Sequence, residues 1–158
     1  MSEGDHVTVA VTGVTGALGS RIAARLADRG VPQLLVGRRP DRLPELPSAQ
    51  RRGPAAYADA SDMREALEGA STLILVSGHR TGRRLEEHAT AVEAAIAVGV
   101  NRVLYVSLIG ASPIATYVNA RDQWLTEQFL AGTGIRHTVL GRASTRRRRP
   151  PSPTRNSS

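Results

Sequence analysis

Apolar and polar positions along the chain follow two periods that take turns. "HVTVAVTG" is a short β-branched run ending at Gly13, which predicts a first strand. "ALGSRIAARLADRG" places Leu18, Ile22 and Leu26 at helical spacing and stops at Gly30, a helix C-terminus. "QLLVG" predicts a second strand, the Pro- and Arg-rich stretch from Arg38 to Pro54 a loop with room for a short helix, and "AAYAD" a weak third strand. "SDMREALEG" reads as a helix capped by Ser61, and "STLILVSG" as the strongest strand of the chain. "GRRLEEHATAVEAAIAVG" sets Leu85, Ala89, Val92 and Ile96 on one helical face and closes at Gly99. "NRVLYVSLIG" is a fifth strand, "ARDQWLTEQFLAGTG" a helix expected to bury Leu125 and Phe129, and "IRHTVL" a sixth strand. Strands alternating with helices imply βαβ units, parallel strands and helices on both faces. The expected fold class is α/β, a Rossmann-type doubly wound parallel sheet of about six strands in the order 3-2-1-4-5-6.

The pattern stops at Leu140. Residues 1–140 read as one dinucleotide-binding domain and residues 141–158 as a tail, expected to be disordered, in which no apolar periodicity survives. The charge divides at the same point. The net charge is +7, and all 21 basic residues are arginine. The tail holds Arg142, Arg146, Arg147, Arg148, Arg149 and Arg155 and no acid, which leaves 15 arginines against 14 acids in the body. The domain is therefore nearly neutral. Nucleic acid is not an expected partner beyond weak, non-specific contact with the tail. A basic arm, a Pro-rich ligand for a partner and an end read out of frame all fit "GRASTRRRRPPSPTRNSS", and the last is preferred.

Composition excludes several kinds of chemistry. With no cysteine there are no disulfides and no thiol catalysis, and with no lysine there is no ammonium for acid–base work. His6, His79, His88 and His137 have no metal-binding spacing and read as surface or helix-packing residues, so no metal is expected. No apolar run reaches the length of a membrane span, and the acidic start "MSEGDH" lacks the features of a secretory signal. A cytoplasmic location is the expectation.

The glycine loop carries the main functional signal. Thr12-Gly13-Val14-Thr15-Gly16-Ala17-Leu18-Gly19 follows a strand and opens a helix. Gly13 lets the chain turn off the strand, and Gly16 lets a pyrophosphate approach the helix N-terminus, where free N–H groups and the dipole favour an anion. Gly19 lets the helix lie close to the sheet. Thr15, Ala17 and Leu18 belong to the same cradle. A dinucleotide site of this kind often has an acid at the end of the second strand to hold the ribose 2′-hydroxyl. Here "LLVG" runs into Arg38 and Arg39, with Arg42 one turn on. A guanidinium pairs with a 2′-phosphate, so NADP(H) is expected in preference to NAD(H).

The spacing G-x-x-G-x-x-G, with "LEGASTLILVSG", "HATAVEAAIAVGVNRVLYVSLIGA" and "ARDQWLTEQFLAGTGIRHTVL", resembles the NmrA-like, atypical short-chain dehydrogenase/reductase family, which includes NAD(P)H:quinone oxidoreductases of the second type. The resemblance runs from about Val7 to Leu140. It implies an NADPH-dependent oxidoreductase lineage acting on a quinone or small carbonyl compound, with a non-catalytic NADP-binding sensor or an inactive remnant as the alternative. It also implies that Asp59 meets the adenine and that Ser77 and Gly78 pass the riboses. Candidates for catalysis are Ser107, Tyr117 and Gln123. Tyr117 begins the only approximation to a Tyr-x-x-x-Lys dyad, with Arg121 in place of lysine, and Gln123 stands where bacterial relatives more often carry histidine. Weak or absent turnover is therefore expected. Members of the family continue beyond this point into a small C-terminal substrate domain. Without it, apolar surface near the sixth strand is expected to be exposed and to favour self-association.

Overall fold

The computed structural model describes residues 7–77, 82–108, 111–116 and 118–142. β1 (Val9–Val11) leads into α1 (Ala17–Asp28), then β2 (Gln33–Val36), a single 3-10 turn (Pro40–Arg42), β3 (Ala49–Arg52) and α2 (Ala60–Leu67). β4 (Thr72–Leu75), α3 (Arg84–Ala97), β5 (Arg102–Leu108), α4 (Val118–Thr133) and β6 (Arg136–Arg142) complete the chain. The strands form one sheet in the order β3-β2-β1-β4-β5-β6, every pair parallel. β1 lies between β2 and β4, so the chain reverses direction across the sheet there, and the crevice at the carboxyl ends of those strands is the usual ligand position.

Alternation along the strands builds two cores. Ala10, Leu34, Val36, Leu73 and Leu75 face α2 and α3, where Met63, Leu67, Ala91, Val92 and Ala95 meet them. Val9, Val11, Leu35, Ile74 and Val76 face the other way, against Ala23 and the half-buried Leu18, Ile22 and Leu26 of α1. The helical periodicity of α1 is thus its packing face. β6 forms an outer edge of the sheet, and its Val139 and Leu140 are exposed.

Several expectations need correction. The third strand is Ala49–Arg52, inside the stretch read as loop, and not "AAYAD". An edge strand whose central residues face solvent needs no apolar alternation, so "AQRR" carried no strand signal. In "AAYAD" the buried Ala55 gives its backbone N–H to Gly37 O (3.0 Å), and the segment folds over the end of β2. Asp59, not Ser61, caps α2, its carboxylate accepting from the Asp62 N–H at 3.0 Å. On α3 the buried face is His88, Ala91, Val92 and Ala95, and Ile96 is exposed. On α4 it is Ala120, Gln123, Thr126 and Leu130, with Leu125 exposed and Phe129 half-buried. Polar side chains that satisfy one another inside took places that hydrophobicity assigned to Leu125. The sixth strand runs two residues past Leu140, to Arg142. The tail beyond lies outside the described residues.

Among the described glycines, Gly19 leaves the least room for a side chain, and what fills that room is backbone. A Cβ on Gly19 would lie 2.1 Å from the carbonyl oxygen of Gly13 and 2.5 Å from its carbon. Backbone atoms cannot rotate away as a side chain can, so α1 would have to lift from β1. Gly19→Ala is expected to destabilise the domain by at least about 2 kcal/mol. Denaturant unfolding reads this, and an unchanged midpoint would contradict the argument.

Candidate functional site

Thr12 organises the carboxyl ends of the two central strands. Its buried hydroxyl donates to Val76 O (3.1 Å) and accepts from the Val76 N–H (3.0 Å). Its own N–H bonds Ile74 O at 3.1 Å. Gly13 follows with φ +67°, and a Cβ there would lie 2.9 Å from Val76 O. The turn therefore leaves β1 in a conformation and at an approach that L side chains oppose. α1 then starts at Gly16 with no capping side chain and no acid in its first turn. Its first N–H groups and the positive end of its dipole are left for an anion.

A cleft of about 820 Å³ opens over this turn. Gly13, Thr15 and Gly16 form one part of its wall, Arg38, Arg39 and Arg42 another, and Ala55 to Ala58, Ser77 and Glu87 a third. Of the residues singled out from the sequence, the cleft brings together Gly13, Thr15, Gly16, Arg38, Arg42 and Ser77. Ala17 and Leu18 lie in the first turn of α1 outside the wall, and Gly19 is buried against Gly13. Asp59 sits at the start of α2, exposed, capping the helix and outside the wall. Gly78 and Tyr117 lie outside the described residues.

Behind the cleft a set of buried polar groups links β4, β5, α3 and α4. Tyr57 donates to Val76 O at 2.6 Å, so that carbonyl accepts from both Thr12 and Tyr57. The ring of His88 lies edge-on between Tyr57 (centroids 6.0 Å apart) and Tyr105 (5.5 Å). Tyr105 donates to Gln123 Oε1, and Gln123 Nε2 reaches Ser77 Oγ at 3.4 Å. Ser107, fully buried, donates to the Glu127 carboxylate. The two candidates Ser107 and Gln123 are thus engaged inside the protein, and only Gln123 connects, through Ser77, to the cleft. Burial pushes the hydroxyls of Tyr57 and Tyr105 up to about 12, so both stay protonated.

His88 is a buried packing histidine. Burial first, and the Arg84 guanidinium second, lower its pKa to about 3. Thr126 donates its one hydroxyl hydrogen to Asp122 O (3.2 Å). Nδ1 of His88, 3.1 Å from Thr126 Oγ1, therefore carries the proton of the neutral ring and donates it to that hydroxyl oxygen. Among the described residues no His, Cys, Asp and Glu side chains group as a metal site. No helix there is long and apolar enough to cross a membrane.

Sequence reasoning missed Thr12, Tyr57 and Glu87 as parts of this site. Tyr57 stood in a segment mistaken for a strand. Nothing local to Glu87 or Thr12 shows which way they face.

A parallel sheet with its glycine turn and cationic cleft at the switch point defines a nucleotide-binding α/β protein. The chain belongs to the NAD(P)H-binding family, whose model matches residues 13–144. It is 34% identical to quinone oxidoreductase 2 of Escherichia coli, over 84% of this chain and 47% of that protein. It is also 34% identical to a (4-alkanoyl-5-oxo-2,5-dihydrofuran-3-yl)methyl phosphate reductase of Streptomyces griseus, over 84% of this chain and 46% of that protein. Among solved structures it is similar to an Escherichia coli NADPH-dependent quinone oxidoreductase complexed with NADPH, with 28% identity and a TM-score of 0.71 over 84% of this chain and 48% of that one. The resemblance to NmrA-like reductases is borne out. The chain spans about half the length of the relatives it matches.

The buried His88 sets a pH dependence. Its pKa is near 3 in the folded protein against an ordinary 6.5, so between those values the unfolded chain binds more protons. The stability it contributes is complete above about pH 6.5 and is lost as pH falls toward 3. Urea unfolding at pH 7 and pH 4.5 should show a smaller loss in His88→Gln than in the unsubstituted protein. Equal losses would show that His88 is not the titrating group.

Proposed function

We propose that this chain binds NADPH in the cleft above Gly13 and Gly16, as part of an oxidoreductase lineage acting on a quinone or small carbonyl compound. The observation that carries the reading is the charge at the end of β2. Arg38, Arg39 and Arg42 line the cleft where a carboxylate would otherwise hold a ribose 2′-hydroxyl. A guanidinium there pairs with a 2′-phosphate in two parallel hydrogen bonds. The residues present fit the dinucleotide in other respects. The glycine turn gives a pyrophosphate room, and the uncapped start of α1 gives it donors. The Escherichia coli relative, solved with NADPH, supports the same choice. When bound, the nicotinamide supplies the hydride. The protein's part is to hold the phosphates at α1, the 2′-phosphate at Arg38 and the ribose side near Ser77. With the body's charge close to balance, a small molecule is the proposed partner.

A second reading, a non-catalytic NADP-binding sensor, has one observation in its favour. Ser107 is committed to Glu127, and Gln123, an amide that does not exchange protons, is bonded to Tyr105, so neither serves as an acid or base toward a substrate. The two readings share the cofactor and part on turnover. Steady-state reduction of a soluble quinone by NADPH separates them, and weak or absent turnover is expected of this chain.

Fluorescence titration with NADPH and NADH tests the shared part. NADPH should bind more tightly by roughly tenfold or more. Arg38→Ala should remove most of that preference while leaving NADH affinity nearly unchanged. Equal affinities in the unsubstituted protein would sink the argument from Arg38.

A further inference from the structure

We propose that Glu87 reads the base of the bound dinucleotide, its carboxylate accepting a hydrogen bond from the 6-amino group of adenine. This rests on the NADPH reading above and deepens it. With the 2′-phosphate held at Arg38, the same ribose places the base along the wall made by Ala55 to Ala58 and the first turn of α3. That loop offers no carboxylate and no amide side chain to an amino group. Three of its four residues are alanines, and the hydroxyl of Tyr57 is donated to Val76 O at 2.6 Å. Asp59, the carboxylate nearest in sequence, is turned to the start of α2, where it takes the Asp62 N–H.

Among the described residues, Glu87 is the only acid in a cleft wall that carries three arginines. Its neighbour Glu86 is exposed and paired with Arg83 at 2.9 Å. The Glu87 carboxylate is half-buried and makes no ion pair or hydrogen bond among the described residues. It lies close enough to Tyr57 for its negative charge to raise that hydroxyl's pKa, as the positive charge of Arg38 lowers it. A carboxylate facing a phosphate would oppose binding, and one facing a neutral heterocycle with an N–H donor gains a charge-assisted hydrogen bond. The adenine 6-amino group is such a donor. Its hypoxanthine counterpart, with a 6-oxo group, would instead set two acceptors against each other.

The test compares NADPH with reduced nicotinamide hypoxanthine dinucleotide phosphate, by fluorescence titration of the full chain. The unsubstituted protein should bind NADPH at least about tenfold more tightly. Glu87→Gln, whose amide can also donate to a 6-oxo group, should bring the ratio close to one, and Glu87→Ala should lower it as well. Equal binding of the two dinucleotides by the unsubstituted protein, or a ratio that survives both substitutions, overturns the proposal. A helix-dipole role for Glu87 would shift the melting temperature and leave the ratio unchanged, which also overturns it. The cofactor reading fails separately, when neither dinucleotide binds the unsubstituted protein. A preference for NADPH over NADH without base discrimination removes Glu87 alone.

Discussion

The rest of the structure depends on the contact between Gly13 and Gly19. A helix can start directly above the end of β1, with its N-terminus over the sheet edge, only if no side chain stands between the two backbones. The carbonyl of Gly13 occupies the space where a Cβ of residue 19 would go. This contact sets the angle at which α1 leaves the sheet and therefore where its unsatisfied N–H groups point. Thr12 fixes the other side of the turn by holding β1 to the end of β4 through Val76.

From that turn the site is divided by charge. Neutral backbone donors lie at α1, guanidinium groups at the end of β2, and one carboxylate on α3. The arrangement suits a long, unevenly charged ligand and gives each part of it a separate environment. The polar groups behind the cleft are different in kind. Tyr57, His88, Tyr105, Gln123 and Thr126 are neutral and bonded among themselves or to backbone. A buried network of this sort is stable only if its members are paired, and it fixes the relation of α3 and α4 to the strand ends that line the cleft.

The sheet and most of its helices were legible in the sequence because two periodicities and the intervening glycines are local signals. β1, α1, β2, β4 and β5 coincide with the segments that pattern alone marks. β3 was not legible, since an edge strand with Gln50 and Arg51 outward obeys no burial pattern, and its parallel pairing with β2 is a long-range fact. The faces of α3 and α4 were misjudged for a related reason. Hydropathy assigns Ile96 and Leu125 to the inside, yet His88, Gln123 and Thr126 took those places because each found a partner on another element.

The sequence by itself therefore determined the parallel α/β architecture, the glycine turn with its anion-ready helix, and the arginines after β2. These depend on residues close together in the chain, whose backbone freedom and charge act wherever they are placed. Only the tertiary structure decided that Tyr57 closes on Val76 and that Glu87 lines the same cleft as Arg38. Those outcomes join residues from separate βα units, and the direction of a side chain there is set by the packing of elements that no local pattern contains.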